Sequence, residues 1–380
     1  MHSSISSSEP PVDVAERLRH PGRVWALAVV LALLVLAGIE SYWRGQGFQA
    51  EISDSKQLWS LQRDRVYGDD PLPVVFIGAS RTAYGIDLAS WRTRYPDTRP
   101  VMLSVNGHHP LAALEDLARD ARFHGLVICD VNSEGLLTRY RDMQQPWVDF
   151  YHQRWTPNWR VHRLMLNVWQ RLSVLGNPDL GWKPAMQRWI AGTDIDLPVA
   201  KIDDERSGRA RFERMTNLAG YGQWFENAAE GKMRDPLPAA EDFIRELADV
   251  VEWVHAIQAR GGQVVFFQPP VGGKLLDLEF RYFDRDRYWD EFAALPGIHA
   301  VQGMDIPALR RLELPDRSHV TAAGRTTMTL ELADEIQRLG LITPSGEVVA
   351  EERVQASPRQ DDTWPRFDLP RDVSEASRQP

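Results

Sequence analysis

The chain has 380 residues, of which 43% are hydrophobic and 26% are charged, so it can bury a large core and is not disordered over most of its length. Its 44 basic and 53 acidic residues give a formal net charge of −9, which disfavours a nucleic-acid backbone as a partner. Cys129 is the only cysteine, so neither an intrachain disulfide nor a thiolate zinc cage can form.

The first feature in chain order is an apolar run, residues 24–39, that contains no charge and no strongly polar group. The run is slightly short for a membrane span, but Tyr42 and Trp43 can lie in the interface and extend it. Three arginines precede the run and one follows it closely. The positive-inside rule therefore predicts an inner-membrane anchor over residues 21–43, with a disordered cytoplasmic tail over 1–20 and the rest of the chain periplasmic or extracytoplasmic. A cleaved signal peptide and a buried core helix are the alternatives.

The composition divides the remaining chain into a linker, a main domain and a tail. Residues 44–70 are polar and moderately helical, which predicts a linker. The main domain is predicted over residues 71–342. Residues 343–380 carry many charges and prolines and few aliphatic side chains, so they predict a disordered tail.

Within the main domain, short apolar runs alternate with helical patterns, as expected for a parallel sheet with crossover helices. The runs predict five strands, at 74–77, 101–105, 125–129, 263–267 and 299–302. Apolar spacing predicts helices at 111–123, 239–259 and 322–339. This order predicts a flavodoxin-like, three-layer α/β/α sandwich.

A helical insertion is predicted over residues 135–236, and it contains seven of the fourteen tryptophans. They are Trp147, Trp155, Trp159, Trp169, Trp182, Trp189 and Trp224. An insertion at the edge where strands end would overhang a site, and indole faces suit the flat C–H surface of sugar rings. A small helical core or a protein interface would use the same residues.

A candidate nucleophile follows the first predicted strand. Gly78 permits a tight bend, and Ser80 stands in the turn between that strand and the next helix. Open α/β folds bind ligands at this edge, and the N–H of Ser80 would lie at a helix start, where it suits an oxyanion. A serine that merely caps the helix is the alternative.

A serine nucleophile needs a base, and Asp-x-x-His occurs at two places: Asp149/His152 and Asp316/His319. The spacing alone does not decide between them. The first pair lies in the insertion, whereas the second lies in the loop between the last strand and the last helix, at the same sheet edge as Ser80. We therefore expect His319 to accept the Ser80 proton while Asp316 orients the imidazole. A surface-loop histidine is the alternative reading of His319.

Taken together, these motifs resemble the SGNH (GDSL-type) hydrolase and acyltransferase superfamily. The resemblance rests on Gly-x-Ser after the first strand, a glycine after the second, an asparagine after the third and Asp-x-x-His before the last helix. It implies that Ser80 is the nucleophile, with Asp316 and His319 completing the catalytic group. It also implies that Gly107 and Asn132 join the Ser80 amide in an oxyanion hole, although both could be plain turn residues.

The chain departs from the superfamily pattern at Ala79, where the family often has aspartate, and around Asn132, where Asp-Val-Asn-Ser replaces Gly-x-Asn-Asp. Arg81 and the N-terminal anchor look similar to the branch that acylates cell-envelope polymers, such as alginate and cellulose O-acetylation proteins and the teichoic-acid D-alanyl transfer protein. Arg81 could bind an anionic substrate, or it could pair with Asp87 or another acid nearby. No His/Asp/Glu cluster has metal-ligand spacing, so neither a metal ion nor a cofactor is predicted.

These observations predict a membrane-anchored acyltransferase that O-acetylates a cell-envelope or extracellular polysaccharide through an acyl-Ser80 intermediate. The predicted partners are the polysaccharide and, by resemblance, a membrane protein that exports acyl groups. A carbohydrate acetylesterase of the same fold is one alternative. A noncatalytic scaffold that binds polysaccharide or recruits a synthase is the other.

Overall fold

A computed structural model describes residues 21–68, 70–193 and 197–349. Five parallel strands form the central sheet, and two short antiparallel strands form a second one. The strands are β1 (Leu72–Ile77), β2 (Thr98–Met102), β3 (Leu126–Asp130), β4 (Ala200–Ile202), β5 (Gly208–Ala210), β6 (Gln263–Gln268) and β7 (His299–Gln302). The order in the central sheet is β2-β1-β3-β6-β7, which is the flavodoxin-like order once the insertion strands β4 and β5 are set aside.

Helices cover both faces of the sheet and form most of the insertion. In the first half of the chain they are α1 (Pro21–Gly45), α2 (Lys56–Arg63), α3 (Ser80–Gly85), α4 (Leu88–Arg94), α5 (Leu111–Arg119), α6 (Gln145–Arg154), α7 (Pro157–Leu172) and α8 (Trp182–Ala191). In the second half they are α9 (Leu218–Lys232), α10 (Ala240–Glu246), α11 (Ala248–Gln258), α12 (Gly273–Tyr282), α13 (Trp289–Ala293), α14 (Pro307–Arg310) and α15 (Gly324–Arg338).

The core consists of two apolar layers, one on each face of the sheet. Side chains of a strand alternate between faces, so Val75 and Ile77 pack with α5 and α11, whereas Val74 and Phe76 pack with α4 and α15. The strands are buried on both faces, which explains why they are continuous apolar runs in the sequence. The predicted three-layer α/β/α sandwich with a five-stranded parallel sheet is confirmed.

The predicted linker over residues 44–70 is wrong, because helix α2 is built into the domain. Trp59 is fully buried, and its indole N–H donates to the carbonyl of Leu103 at 2.8 Å. Arg63 is also fully buried and pairs with Asp116 at 2.7 Å and with Asp120 at 3.0 Å. An amphipathic segment with a tryptophan and an ion-paired arginine on its inner face adds to the core and so cannot act as a spacer.

Three other expectations differ from the structure in detail. The insertion is not entirely helical, because β4 and β5 pair within it. The helix predicted over 239–259 is divided into α10 and α11 at Leu247, where the backbone leaves helical geometry with ψ near 3°. The start of the predicted tail packs on the domain, since the N–H of Val349 donates to the Leu341 carbonyl at 3.0 Å and Gln263 donates to the Val349 carbonyl at 2.8 Å. The rest of that tail, and the predicted tail 1–20, lie outside the described residues.

Helix α1 is long and apolar enough to cross a membrane, over Gly22–Gly45. None of its most apolar stretch is buried in the protein, so the alternative of a buried core helix is wrong. Its C-terminal end contacts the domain: Glu40 accepts hydrogen bonds from the Ser173 hydroxyl at 2.6 Å and from the Val174 N–H at 3.1 Å.

Candidate active site

Ser80 is placed by a tight connection between β1 and α3. It is the first residue of the helix and is partly exposed. Gly78 makes this connection possible, because a Cβ there would lie only 2.6 Å from the Cβ of Asp130 on the neighbouring strand. The backbone thus passes against β3 and presents the Ser80 hydroxyl at the carboxyl edge of the sheet.

Three side chains from two distant loops form one hydrogen-bonded series. The Oγ of Ser80 lies 2.8 Å from Nε2 of His319, and Nδ1 of His319 lies 2.7 Å from Oδ2 of Asp316. His319 is nearly buried, and Asp316 is buried. A hydroxyl, an imidazole and a carboxylate in this order can activate the hydroxyl as a nucleophile, because the imidazole takes its proton and the carboxylate stabilises the resulting cation.

The loop around Asp316 is organised by its own carboxylate. Oδ1 accepts hydrogen bonds from the backbone N–H groups of Ser318, at 3.0 Å, and His319, at 2.7 Å. Burial alone would raise the pKa of Asp316, but the hydrogen bonds from the ring and backbone of His319 outweigh it and hold that pKa below its usual value. The carboxylate therefore stays charged beside the imidazole at neutral pH.

Gly107 and Asn132, the two further residues predicted for the oxyanion hole, lie on loops that adjoin the Ser80 turn. Gly107 has φ of +74°, a backbone conformation that favours glycine, and it is exposed in the turn after β2. The loop that holds it begins beside the Ser80 turn, because the N–H of Val105 donates to the carbonyl of Gly78 at 2.9 Å.

Asn132 follows β3 and is partly exposed. Its Oδ1 accepts a hydrogen bond from the N–H of Gly135 at 3.0 Å, which fixes the amide plane. Gly135 packs so closely on His109 that a Cβ there would lie 2.4 Å from the ring. The Asn132 loop therefore contacts the Gly107 loop, and all three predicted oxyanion donors come from segments at one corner of the sheet.

Gln144 joins these segments, and sequence reasoning missed it. Its side chain is fully buried, and its Nε2 donates to the carbonyl of Gly78 at 2.9 Å and to the carbonyl of His108 at 3.0 Å. One amide thus connects the turn before Ser80 with the loop that holds Gly107. Gln144 belongs to the insertion, where no local motif marks it, so only the fold reveals its contacts.

Asp130 holds the first turn of α3, the helix that begins with Ser80. This buried residue ends β3, and its Oδ2 accepts hydrogen bonds from the backbone N–H of Thr82 at 3.1 Å and from the Thr82 hydroxyl at 2.8 Å. Burial raises the pKa of Asp130 to about 6, and the hydrogen bonds from Thr82 together with the positive charge of Arg81 limit the increase. The carboxyl therefore anchors the first turn of α3 at an energetic cost when it is ionised.

Arg81 is turned toward neighbouring side chains of the protein. It forms an ion pair with Glu279 at 2.8 Å and donates to the Ser318 hydroxyl at 3.1 Å. Burial alone would lower the pKa of Arg81, but the charge of Glu279 outweighs it and raises that pKa. Arg81 was expected either to bind an anionic substrate or to pair with Asp87 or another nearby acid. In the structure it pairs with an acid, and that acid is Glu279. Through Ser318, Arg81 also connects the Ser80 helix to the loop that carries His319.

Helix α9 of the insertion lies across the site. The ring of Phe225 contacts the His319 ring edge-on, with centroids 5.5 Å apart, while the Tyr84 ring lies 5.8 Å away from it. The guanidinium of Arg317, beside Asp316, pairs with Glu226 of the same helix. Near the end of α9, Lys232 pairs with Glu134 of the Asn132 loop at 2.8 Å. One helix thus contacts both the imidazole loop and the Asn132 loop.

A small cleft lies beside Asn132 and extends toward the ends of β6 and β7. Both polar and aromatic side chains line it, among them Gln268, Gln302, Phe280, Phe283 and Trp289.

The other Asp-x-x-His motif forms no comparable series. His152 hydrogen-bonds Asp116 at 2.5 Å, and Asp149 accepts from the side-chain amide of Gln145 at 2.8 Å. Among the insertion tryptophans, Trp224 lies on α9 next to Phe225, and Trp182 and Trp189 lie on α8; all three are exposed. Among the residues that the structure describes, no group of His, Cys, Asp and Glu side chains could hold a metal ion.

No protein-family model matches the chain, and no curated protein matches it. Five chains among solved structures do match, one of them in a structure entitled "Crystal Structure of TesA". That match has 11% sequence identity, covers 70% of this chain and 98% of the other, and has a TM-score of 0.29. The strand order and the position of the Ser80 turn, rather than this likeness, define the protein as a flavodoxin-like α/β sandwich with a serine at the carboxyl edge of its sheet.

Proposed function

We propose that the protein is a membrane-anchored serine acyltransferase of the SGNH type, which O-acetylates a cell-envelope or extracellular polysaccharide. The observation that carries the proposal is the series from Ser80 through His319 to Asp316, with spacings of 2.8 and 2.7 Å. These contacts join residues 239 positions apart at the edge of the sheet where ligands bind in this class of fold.

In the first half-reaction, the Ser80 oxygen attacks the carbonyl carbon of a donor ester while Nε2 of His319 takes the hydroxyl proton. The N–H of Ser80, the N–H of Gly107 and the side chain of Asn132 are the proposed donors to the oxyanion. The donor's leaving group departs with the proton from His319, and an acyl ester remains on Ser80. Asp316 stays ionised throughout and stabilises the imidazolium.

In the second half-reaction, a polysaccharide hydroxyl gives its proton to His319 and attacks the acyl ester, and Ser80 regains its hydrogen. Transfer requires that the sugar hydroxyl reaches the ester before water does. Helix α9 supports this requirement, because Phe225 covers one side of the His319 ring. Helix α1 supports the anchoring, and an acyl-exporting membrane protein is the proposed source of the donor.

The test is mass spectrometry of the purified full-length protein in detergent after incubation with an activated acetyl ester. We expect an adduct with the mass of one acetyl group, mapped to Ser80, and no adduct in Ser80→Ala. Ser90→Ala is a matched control, because Ser90 is another partly exposed helical serine, bonded to Asp87. An adduct elsewhere, or none under conditions where the protein is folded, would contradict the proposal in favour of the scaffold.

A second measurement separates transfer from hydrolysis. Acetylated oligosaccharide and free acetate are quantified together while the acceptor concentration is raised. A transferase gives a product ratio that rises with acceptor, since sugar and water compete for the same acyl-enzyme. Acetate alone at saturating acceptor would identify a carbohydrate acetylesterase.

A further inference from the structure

Helices α7 and α8 present an apolar face to the outside of the protein. On α7 the exposed apolar residues are spaced at i, i+3, i+4, i+7, i+8 and i+11, which is one continuous stripe: Val161, Leu164, Met165, Val168, Trp169 and Leu172. On α8 the stripe is Trp182, Met186, Trp189 and Ile190. Trp189 is 83% exposed and Trp182 is 78% exposed, which is unusual for the largest apolar side chain.

The orientation of α7 is fixed by polar contacts on its inner face. Its buried residues are Arg163, Asn167 and Gln170. Arg163 donates to Asn167 at 2.6 Å and to Gln170 at 3.0 Å, and it also reaches the carbonyl of Ser53 at 3.2 Å. A surface helix of a globular protein normally buries its apolar stripe and exposes its polar one. Helix α7 does the reverse: its polar side faces the protein and its apolar side faces outward. This arrangement is expected where the outer side of a helix meets an apolar environment.

The face continues directly from the end of helix α1. The Arg44 side chain donates at 3.1 Å to the carbonyl of Leu172, which is the last residue of α7. Glu40 binds the next two residues of the chain, and Trp43 packs against a small apolar cluster that contains Val174 and Leu180. The segment between α7 and α8 is therefore attached to the point where α1 meets the domain.

The charge of the two helices is also one-sided. Neither helix contains an aspartate or a glutamate, in a chain whose net charge is −9. Together they carry five basic residues, of which Arg163 is buried; the others are Arg160, Arg171, Lys183 and Arg188. Exposed tryptophan and basic side chains around an apolar stripe are the features that bind a helix to the surface of an anionic bilayer.

We propose that α7 and α8 lie in the interface of the same bilayer that α1 spans, with both apolar stripes in the boundary between headgroups and acyl chains. Arg160 and Arg171 pair with Asp64 and Asp204, so Lys183 and Arg188 of α8 are the side chains that would contact anionic headgroups. This inference rests on the proposed membrane anchoring. It adds that the catalytic domain is held against the membrane surface by two further helices of its insertion and is not suspended from α1 alone.

The experiment uses full-length variants that each carry one introduced cysteine, labelled with a nitroxide and reconstituted in liposomes of phosphatidylethanolamine and phosphatidylglycerol. Met165→Cys and Trp189→Cys report on the two stripes, Leu31→Cys reports on α1, and Arg119→Cys on α5 is the aqueous control, because its side chain is 77% exposed. Cys129 is fully buried, so the parent chain should take up no label. Power-saturation EPR then compares collision with oxygen, which enters lipid, and with a water-soluble nickel chelate.

We expect labels at 165 and 189 to behave like the label at 31, with oxygen collisions exceeding chelate collisions several-fold, and the label at 119 to show the reverse. If 165 and 189 behave like 119 while 31 is in lipid, the interfacial placement is wrong and the anchor stands. If 31 is also aqueous, the anchoring itself fails. Labels at 165 and 189 that are shielded from both agents would show that a second copy or another protein covers the face, which would also overturn the inference.

Discussion

The hydroxyl oxygen of Ser80 lies 2.8 Å from Nε2 of His319, and the two residues are 239 positions apart in the chain. This is hydrogen-bond distance, so the proton can pass directly from the Ser80 hydroxyl to the imidazole without a rearrangement of either side chain. His319→Ala should therefore reduce labelling of Ser80 by a fluorophosphonate at least about a hundredfold. His162→Ala, on the exposed part of α7, is the control and should label normally. Equal labelling of the two variants would show that His319 is not the base.

Removal of the negative charge at Asp316 should be nearly as damaging as removal of the base. Asp316→Asn keeps the size of the side chain, but it cannot stabilise the imidazolium and it favours the wrong tautomer. We expect the rate of acyl transfer to fall by about three to four orders of magnitude. Steady-state kinetics at neutral pH, with circular dichroism to verify folding, provides the measurement. A loss of less than tenfold would mean that the carboxylate is dispensable.

Gln144 should affect turnover more than substrate binding, because its side chain is fully buried and positions the Ser80 turn and the Gly107 loop. Gln144→Leu removes both donated hydrogen bonds, and we expect kcat to fall about 10- to 100-fold while KM changes little. Loss of these two hydrogen bonds should also lower the free energy of unfolding by about 1–3 kcal/mol.

The neighbouring Gln145→Leu is the matched control, since the side-chain amide of Gln145 donates to Asp149 on the same helix. It should leave both kinetic constants nearly unchanged. If Gln144→Leu raises KM and leaves kcat intact, its role lies in binding and not in positioning.

Phe225 should determine how much of the acyl group is lost to water. Phe225→Ala opens one side of the His319 ring, so we expect the ratio of free acetate to acetylated sugar to increase several-fold. Tyr221→Ala, one turn earlier on α9 and 40% exposed, should leave the ratio as it is. Both products are measured in the same reaction, so a general loss of activity does not affect the result. An unchanged ratio for Phe225→Ala would contradict a water-excluding role.

Asp130 should make stability depend on pH in a direction that can be stated. Burial raises the pKa of Asp130 from an ordinary value of 3.8 to about 6 in the folded protein. Its contribution to the free energy of unfolding is therefore fully present below about pH 4 and is lost as the pH rises through about 6. Asp130→Asn removes this titration and keeps an oxygen acceptor for Thr82. The difference in stability, variant minus parent, should therefore be more favourable to the variant at about pH 7 than at about pH 4.5.

The measurement is denaturant unfolding of both full-length proteins in detergent at the two pH values. A two-unit shift sets an upper bound of about 3 kcal/mol on the difference. If the stability difference between parent and variant is independent of pH, Asp130 is not the group that titrates.

The sequence predicted the sheet well because its strands are buried on both faces and are therefore continuous apolar runs. It also indicated that Ser80 and His319 belong to one edge, because the carboxyl ends of parallel strands lie together. It failed for residues 44–70, where Trp59 and Arg63 are buried by partners from other parts of the chain. It could not find Gln144 either, because a glutamine that bonds two backbone carbonyls needs no motif around it.

The contacts of the insertion have a consequence for any attempt to define a minimal protein. A chain reduced to the five-stranded sandwich would keep Ser80, Asp316 and His319 in its sequence. It would lack the aromatic ring beside the imidazole, the carboxylate that pairs with Arg317 and the glutamine amide below the serine turn. The smallest unit with the reacting groups in order is thus larger than the smallest unit with the fold.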